Sequence, residues 1–254
     1  MRIVVGILFG MLATSAHAGP WTLPDGRSQV ILKYEDMRAD EEFDGDGSRV
    51  GLPGDRIDRS LGVFAEYGVT DRLTLQFKGD WQEGEDAFFD YSGRGPVEVG
   101  ATWQVWRDDR TAVSVYGGYA DGGDGRNAGY AAPGVGQRDW EVRTSVGRSF
   151  SGGGRWGPSR SFADVQVARR MRDGLPDETR ADVTYGAHFG DDWLLLGQAF
   201  GGLADGDGAR WLSVETSIVR NLGDWSLQGG WRQSVAGRRT PAANGPVLAV
   251  WRRF

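Results

Sequence analysis

The sequence predicts an all-β fold, a single transmembrane antiparallel β-barrel of about twelve strands. Three observations predict it: apolar and polar residues alternate, short turns alternate with longer loops, and the N-terminus carries an export signal. Successive side chains of a strand point to opposite faces, so alternation with period 2 indicates strands. In a barrel that crosses a membrane, the apolar face meets lipid and the polar face lines the interior.

The segment Leu61–Trp81 shows this alternation most clearly, as a hairpin around the turn Gly68–Asp71. The second half has one apolar and one polar face. The apolar face holds Leu73, Leu75, Phe77 and Trp81, and the polar face holds Thr74, Gln76, Lys78 and Asp80. A soluble sandwich would turn the apolar face inward, whereas a membrane barrel turns it outward.

Residues 1–18 have the pattern of a cleaved signal peptide. Arg2 precedes the apolar run Ile3–Leu12, and Ala16-His17-Ala18 forms a small-residue cleavage pattern. The alternative, an uncleaved anchor helix, is disfavoured because the apolar run is too short to span a bilayer comfortably. We expect residues 1–18 to be removed and residues 19–254 to form the outer-membrane β-barrel domain.

The composition suits an exported barrel. The chain has no cysteine, 41 glycines and 11 tryptophans among its 254 residues. Its hydrophobic share of 39% is low, which fits a barrel because only every second strand residue meets lipid. The net charge of −6 argues against a nucleic-acid partner.

Twelve segments share the hairpin's pattern, although the consecutive apolar residues at Trp193–Leu196 and Trp211–Leu212 leave the register open there. The predicted strands are Gln29–Arg38, Ile57–Gly68, Arg72–Trp81, Val97–Trp106, Thr111–Tyr119, Arg138–Phe150, Phe162–Met171, Thr179–Phe189, Trp193–Gly201, Arg210–Arg220, Trp225–Val235 and Val247–Phe254.

The connections between these strands alternate in length, as in outer-membrane barrels with short periplasmic turns and longer external loops. The short turns are Gly68–Asp71, Arg107–Arg110, Gly190–Asp192 and Asn221–Asp224. The longer loops are Asp40–Asp55, Gln82–Gly95, Ala120–Gln137, Asp173–Asp177, Leu203–Ala209 and Gly237–Gly245. Ser151–Arg160 is an exception, because a short turn is expected where the chain has a longer Gly-rich one.

Two further signals favour the barrel over a sandwich. Aromatic residues stand near strand ends, where the interfacial girdles of a membrane barrel belong. They are Tyr67, Trp81, Tyr119, Trp140, Phe189, Trp193 and Trp225. The chain also ends in Phe254, an aromatic C-terminus common among bacterial outer-membrane barrels, although Arg252 occupies a position where an apolar residue is usual.

Three motifs in the first third of the chain resemble a known family. They are Trp21-Thr-Leu-Pro-Asp-Gly26, Phe43-Asp-Gly-Asp-Gly47 and Glu66-Tyr-Gly-Val-Thr-Asp-Arg-Leu-Thr-Leu75. The chain resembles bacterial outer-membrane proteins grouped with the meta-pathway phenol-degradation family. This resemblance implies an outer-membrane channel for a small solute, with aromatic or other hydrophobic compounds as candidates, and it implies no catalytic residue.

The polar faces supply the candidate functional residues, which we expect to line the lumen. They are Glu66, Lys78, Asp80, Glu98, Glu141, Arg143, Asp164, Arg170, Arg180, Asp182, His188, Glu215 and Arg232. Charges of both signs suit a polar permeation path. The alternative is a salt-bridge network that plugs a narrow barrel, since small barrels are filled by side chains.

A histidine and an acidic loop resemble functional sites, but each has a simpler structural explanation. His188 remains the single histidine after signal cleavage, and a lumen position at the periplasmic end favours a structural role over lipid-modifying catalysis. Residues 44–55 resemble a calcium loop, but Arg49 replaces its central glycine and no glutamate stands at its end, so a solvated acidic loop is favoured.

We therefore expect a passive outer-membrane channel without enzymatic activity, metal or cofactor. Its expected partners are outer-membrane lipid and lipopolysaccharide, the barrel assembly machinery and a small-molecule solute. Two alternatives stay open: a non-conducting structural or adhesion barrel that acts through its loops, and a lipid-modifying enzyme.

Overall fold

The computed structural model describes residues 19–152 and 157–254. Its strands are β1 Ser28–Phe43, β2 Arg49–Thr70, β3 Leu73–Glu85, β4 Asp90–Arg94, β5 Val97–Arg107, β6 Thr111–Asp121, β7 Arg138–Ser151, β8 Arg160–Arg172, β9 Glu178–Phe189, β10 Trp193–Ala204, β11 Arg210–Leu222, β12 Trp225–Arg238, β13 Thr240–Pro241 and β14 Asn244–Arg253. The predicted signal peptide, and residues 153–156 of the irregular connection, lie outside the described residues.

The sheet closes on itself. Each long strand pairs antiparallel with its neighbours, and β1 pairs with both β2 and β14, so the first and last strands seal the wall. Twelve long strands form the barrel within the described residues, while β4 and β13 are short additions that pair with β3 and β1. The predicted all-β antiparallel barrel is confirmed.

The first predicted long loop is instead mostly strand. β1 and β2 continue to Phe43 and from Arg49, so that residues 44–48 alone connect them. The Asp44 carboxylate stabilises this turn, because its Oδ1 accepts hydrogen bonds from the backbone N–H groups of Asp46 and Ser48, both at 2.9 Å. The extension escapes detection because Arg49–Asp55 contains two glycines and a proline, which are typical of loops, and because a register irregularity between Ala39 and Glu41 interrupts the alternation.

The structure resolves the two ambiguous registers. In β10, Leu194 and Leu196 point inward and are buried, while Leu195 points outward and is exposed. In β11, Trp211 points inward beside Arg180 and Tyr130, while Leu212 points outward and is exposed. The bulge in the β11–β12 pairing places its extra residue, Val235, on β12, so the alternation of β11 continues.

Large apolar side chains cover the outside of the barrel. Leu61, Trp103, Trp140, Val167 and Ile218 are each at least half exposed, and they come from five different strands. A soluble monomer rarely exposes a contiguous apolar surface of this extent. Within the described residues, the structure contains no helix that is long and apolar enough to cross a membrane.

The interior holds an apolar cluster near the ends of the strands that the short turns join. Its buried members are Phe162, Leu194, Leu196, Val219, Ala249 and Trp251, with Trp21 and Ile31 packed against them. The alternation in the sequence predicts a polar interior along the whole barrel. At this level the inward face is apolar, because β8, β10, β11 and β14 each direct a large hydrophobic residue into the barrel.

Candidate functional site

The thirteen residues predicted to line the lumen all lie on inward-facing positions of their strands, in register with one another across the sheet. The structure brings nine of them into two ion-pair networks or the space between these networks. Two others, Glu66 and Asp164, are buried against side-chain amides, and Asp80 and His188 lie nearer the two openings.

The larger network, which we call the β5–β9 network, is centred on Arg170. Its guanidinium lies 2.6 Å from Glu98 Oε2 and 3.3 Å from Asp139 Oδ2, and its Nε donates to Glu141 Oε2 at 2.9 Å. Arg143 pairs with the same Glu141. The Arg170 side chain is almost fully buried, so these carboxylates replace the water that it lost.

The network continues along β8 and β9. Arg172 is fully buried between Asp139 and Glu178, and Arg180 Nη2 lies 2.6 Å from Glu178 Oε2. Of these residues, Arg180 alone belongs to the set predicted to line the lumen. Asp139 lies on the polar face of its predicted strand, and Arg172 and Glu178 each lie one residue beyond a predicted strand end.

The second network, which we call the β1–β12 network, lies on the other side of the barrel. Arg232 Nη2 lies 2.7 Å from Glu215 Oε2, and Arg232 Nη1 lies 2.8 Å from Glu35 Oε1. Lys33 Nζ lies 3.0 Å from Glu35 Oε1. Glu215 and Arg232 belong to the predicted lumen set, whereas their two partners on β1 lie on the polar face of that predicted strand but not in the set.

Two carboxylates are buried against amides rather than against cations. Glu66 Oε1 accepts a hydrogen bond from Gln76 Nε2 at 3.0 Å, and Asp164 Oδ1 accepts one from Gln166 Nε2 at 3.0 Å. These pairs fill the wall with side chains on opposite sides of the interior. They leave the two ion-pair networks as the principal charged surfaces.

Open space remains between the networks. Lys78 points inward from β3 and is nevertheless exposed. It lies within electrostatic range of Glu35 on β1, Glu98 on β5 and Asp182 on β9. Glu98 is its register partner on the neighbouring strand, whereas Glu35 and Asp182 lie on strands that do not pair with β3. Because carboxylates from both sides of the interior lie within range of Lys78 and water still reaches it, this side chain stands in the central part of the barrel.

One long connection covers the end of the barrel opposite to the short turns. Residues 122–137 join β6 to β7, and we call them the lid loop. Arg126 is its anchor to the β2–β3 side: its Nε lies 3.0 Å from Asp58 Oδ1 on β2, and its Nη2 pairs with Asp86. Its guanidinium also lies over the ring of Tyr91, at 5.1 Å.

The other side of the lid loop reaches the opposite wall. Tyr130 donates a hydrogen bond to Glu178 Oε1 on β9 at 2.5 Å, and its ring lies 5.9 Å from that of Trp211. Arg172 donates to the carbonyl oxygen of Asn127 at 2.8 Å. Because β2 and β9 are separated by five strands in either direction around the sheet, the lid loop spans the mouth.

The lid loop is held to the wall by the ion pair between Arg126 and Asp86, which lies between β3 and β4. Burial raises the pKa of this carboxyl, but the backbone N–H of Phe88 and the guanidinium of Arg126 outweigh burial, and its pKa is lowered. The charged form of Asp86 is therefore the form that the folded chain favours.

A polar cavity of about 250 Å³ opens beside the lid loop. Its walls include Glu35, Asp58, Asp80, Arg126 and Gly129. Asp80 belongs to the predicted set, and its carboxylate accepts a hydrogen bond from Gln82 at 2.6 Å. This cavity connects the mouth with the level of the charged networks.

The N-terminal segment, residues 19–27, crosses the other end of the barrel from inside. Gln104 Nε2 donates to the carbonyl oxygen of Pro20 at 3.0 Å, and the backbone N–H of Leu23 donates to Thr74 Oγ1 at 2.9 Å. The Trp21 ring packs edge-on against Phe162 at 5.9 Å. Gly147 makes room for it, since a Cβ there would meet the Trp21 ring at 2.4 Å.

His188 lies at the same end, inside the barrel and 6% exposed. Its ring is 6.3 Å from that of Phe162, and its Nδ1 has no hydrogen-bond partner among the described residues. A catalytic histidine needs a nucleophile or an orienting carboxylate within hydrogen-bond reach. Nor do the described residues contain a group of three potential ligands that could hold a metal ion.

Comparison with known proteins gives similarity of fold. No protein-family model matches the sequence, and no curated protein matches it. Among solved structures, an outer-membrane channel from Pseudomonas putida F1 superposes with a TM-score of 0.70 at 15% identity, over 95% of this chain and 100% of that one.

Other barrels are similar over most of their length. The KdgM porin in complex with disordered oligogalacturonate has a TM-score of 0.55 at 7% identity, covering 89% of this chain and 99% of that one. The translocator domain of the autotransporter NalP from Neisseria meningitidis has a TM-score of 0.52 at 8% identity, covering 90% and 89%. At these identities the likeness establishes the twelve-stranded barrel fold, which serves more than one purpose.

Proposed function

We propose that this protein is an outer-membrane channel of a Gram-negative bacterium, through which a small solute diffuses passively. The single observation that carries the proposal is the exposed Lys78 side chain inside a closed barrel whose outer face is apolar. An exposed charge at this position requires water-sized space in the central part of the barrel. The superposition with a channel of known structure supports the same conclusion.

The outer surface supports a membrane location. Directly beyond Leu61 and Trp81, Arg59 forms ion pairs with Asp36 at 3.4 Å and with Glu83 at 3.6 Å on the outer face. At the opposite end, Arg252 lies 5.0 Å from the ring centroid of Trp225. Charged and aromatic side chains at both ends of an apolar belt are the arrangement expected at two membrane interfaces.

The route that we propose enters through the cavity beside the lid loop and passes Lys78 between the two ion-pair networks. It leaves through the apolar cluster that the N-terminal segment covers. Because most interior charges are paired with opposite ones, we expect modest ion selectivity, set by the less constrained Lys78 and Asp182. The family resemblance and the aromatic rings at the exit make small aromatic compounds with a polar substituent the first solutes to test.

Conductance is the direct test. Purified protein in a planar bilayer should give discrete conductance steps, and liposomes that contain it should swell in small aromatic acids or sugars. Channel function is rejected if a correctly folded barrel gives neither steps nor swelling.

The second candidate is a non-conducting structural barrel. The lid loop and the N-terminal segment, which cover both ends, favour it. Replacing residues 122–137 with a two-residue Asn-Gly turn, which joins the register partners Asp121 and Arg138, distinguishes the two: a barrel that conducts only after this replacement is closed at rest. A lipid-modifying enzyme has little support, since His188 lies inside the barrel; loss of a lipase activity in a His188→Ala variant would revive it.

A further inference from the structure

The outer face carries an apolar groove that the channel does not use. It has a volume of about 480 Å³ and is lined mainly by Val99, Gly117, Tyr119, Trp140 and Met171. Gly117 points outward from β6, and no heavy atom lies within 4 Å of the position that a Cβ would take there. A glycine inside a strand commonly marks a place where a ligand or another backbone approaches closely.

Two packed aromatic rings form part of the wall of the groove. The rings of Tyr119 and Trp140 lie 4.9 Å apart at an angle of 59°, and together they form one side. Trp140 is 59% exposed and Met171 is 41% exposed, so both present large apolar area to whatever fills the groove. If the groove is empty, these side chains lose dispersion contacts on that side. A flexible hydrocarbon chain that fills the groove supplies these contacts.

A charged rim lies directly beyond the groove, on the side of the lid loop. Asp121 and Arg138 are register partners, one residue pair beyond Tyr119 and Trp140 on the same face. Arg94 Nη2 already pairs with Asp121 Oδ2 at 2.8 Å. Arg138 is exposed, so its guanidinium is available to an anionic group at the membrane surface.

We propose that this groove binds one phosphate-bearing lipid of the outer leaflet, with an acyl chain over Gly117 and the phosphate at Arg138. The geometry fits such a lipid, because an apolar groove inside the belt continues into a cationic rim at its edge. The inference rests on the membrane location proposed above, and it is independent of conduction.

Native mass spectrometry of the detergent-purified protein tests the site with dimyristoyl phosphatidylglycerol as the probe. We expect one tightly retained lipid, and about tenfold weaker retention in a Gly117→Leu variant, whose side chain fills the groove. Gly197→Leu is the matched control, because Gly197 is also an open glycine on an outward position of β10. Retention equal to wild type in Gly117→Leu, or an equal loss in Gly197→Leu, overturns the proposal.

The two halves of the site are tested separately. Arg138→Gln should weaken retention of phosphatidylglycerol but leave that of dimyristoyl glycerol unchanged. Inorganic phosphate should not compete, because the acyl chain supplies part of the affinity; full displacement by phosphate would contradict the acyl site. If Gly117→Leu fails to fold, quenching by one equivalent of brominated-chain phosphatidylglycerol in detergent decides. Trp140→Phe should remove more of this quenching than Trp231→Phe, a control at an outward position of β12 that is 52% exposed, and an equal effect of the two variants refutes the site. A dimer whose formation depends on Gly117 would also overturn the proposal.

Discussion

Arg126 holds the lid loop to the barrel wall, and its removal should open the mouth. In wild-type protein its guanidinium pairs with Asp58 on β2 and Asp86, and its Nη1 donates to the carbonyl oxygen of Ala131 at 2.7 Å. Arg126→Ala deletes all of these interactions. Asp86 then loses its cation, whereas Asp58 keeps its ion pair with Arg56, at 2.6 Å. We predict that the lid loop then opens far more often.

The magnitude follows from these contacts. Removing one partner of a buried ion pair costs about 3–5 kcal/mol. The carboxylate partners are not fully buried, since the Asp58 and Asp86 side chains are 25% and 15% exposed, so water compensates part of the loss. The lower figure, about 3 kcal/mol, is therefore appropriate, and it corresponds to about a hundredfold change in the opening equilibrium.

Thiol labelling measures this equilibrium. The chain contains no cysteine, so Ala128→Cys introduces a single thiol, at a lid-loop position that is 8% exposed. A membrane-impermeant maleimide should react slowly with this protected thiol. In the double variant with Arg126→Ala, the labelling rate should rise about a hundredfold, because labelling follows the open population.

Arg49→Ala is the matched control. Arg49 pairs with Glu41 at 3.3 Å on the same side of the barrel, with both side chains more than 40% exposed, and such surface pairs contribute about 0–1 kcal/mol. Labelling should change less than fivefold in this background. An unchanged labelling rate in Arg126→Ala would refute the view that Arg126 holds the loop closed.

Four further predictions concern the wall, the lumen, the exit and the pH response. Phe77→Arg should lower the unfolding free energy in lipid vesicles by about 2–4 kcal/mol, because Phe77 faces outward midway along the apolar stretch of β3, near the bilayer midplane. Lys78→Glu should shift the reversal potential in a salt gradient toward cation permeation, since it inverts the exposed interior charge. Trp21→Ala should raise single-channel conductance by removing the ring that covers the exit. Acid should open the mouth: Asp86 has a lowered pKa in the folded chain, so its contribution to lid closure is present above the ordinary aspartate range and is lost as the pH falls through the lowered value.

Each of these has a result that contradicts it. A neutral Phe77→Arg would mean that this face does not meet lipid, and an unchanged reversal potential in Lys78→Glu would place Lys78 off the permeation path. Equal conductance in Trp21→Ala would show that the N-terminal segment does not restrict the exit. An acid-induced rise in conductance that persists in Asp86→Asn would assign the pH response to another group.

The barrel could be predicted because apolar and polar residues alternate along most of its strands. Residues such as Leu75 and Lys78 alternate with period 2, and in a closed sheet every backbone group finds its partner on the neighbouring strand, so local pattern and global architecture agree. The extension of β1 and β2 could not be predicted in this way, because its glycines and proline are typical of a loop and a register irregularity interrupts its alternation.

Sequence alone predicted the inward face of most strands, with Arg170 and Glu215 on it, but it left the register open at Trp193–Leu196 and Trp211–Leu212. Pattern cannot say which inward residues meet, because Arg170 and Glu98 are 72 positions apart and their contact depends on how the sheet closes. Only the tertiary structure decided that Arg126 and Trp21 cover the two ends of the barrel. Both stand in connecting segments, which have no period, and their positions are fixed by contacts with opposite walls that exist only after the barrel has closed.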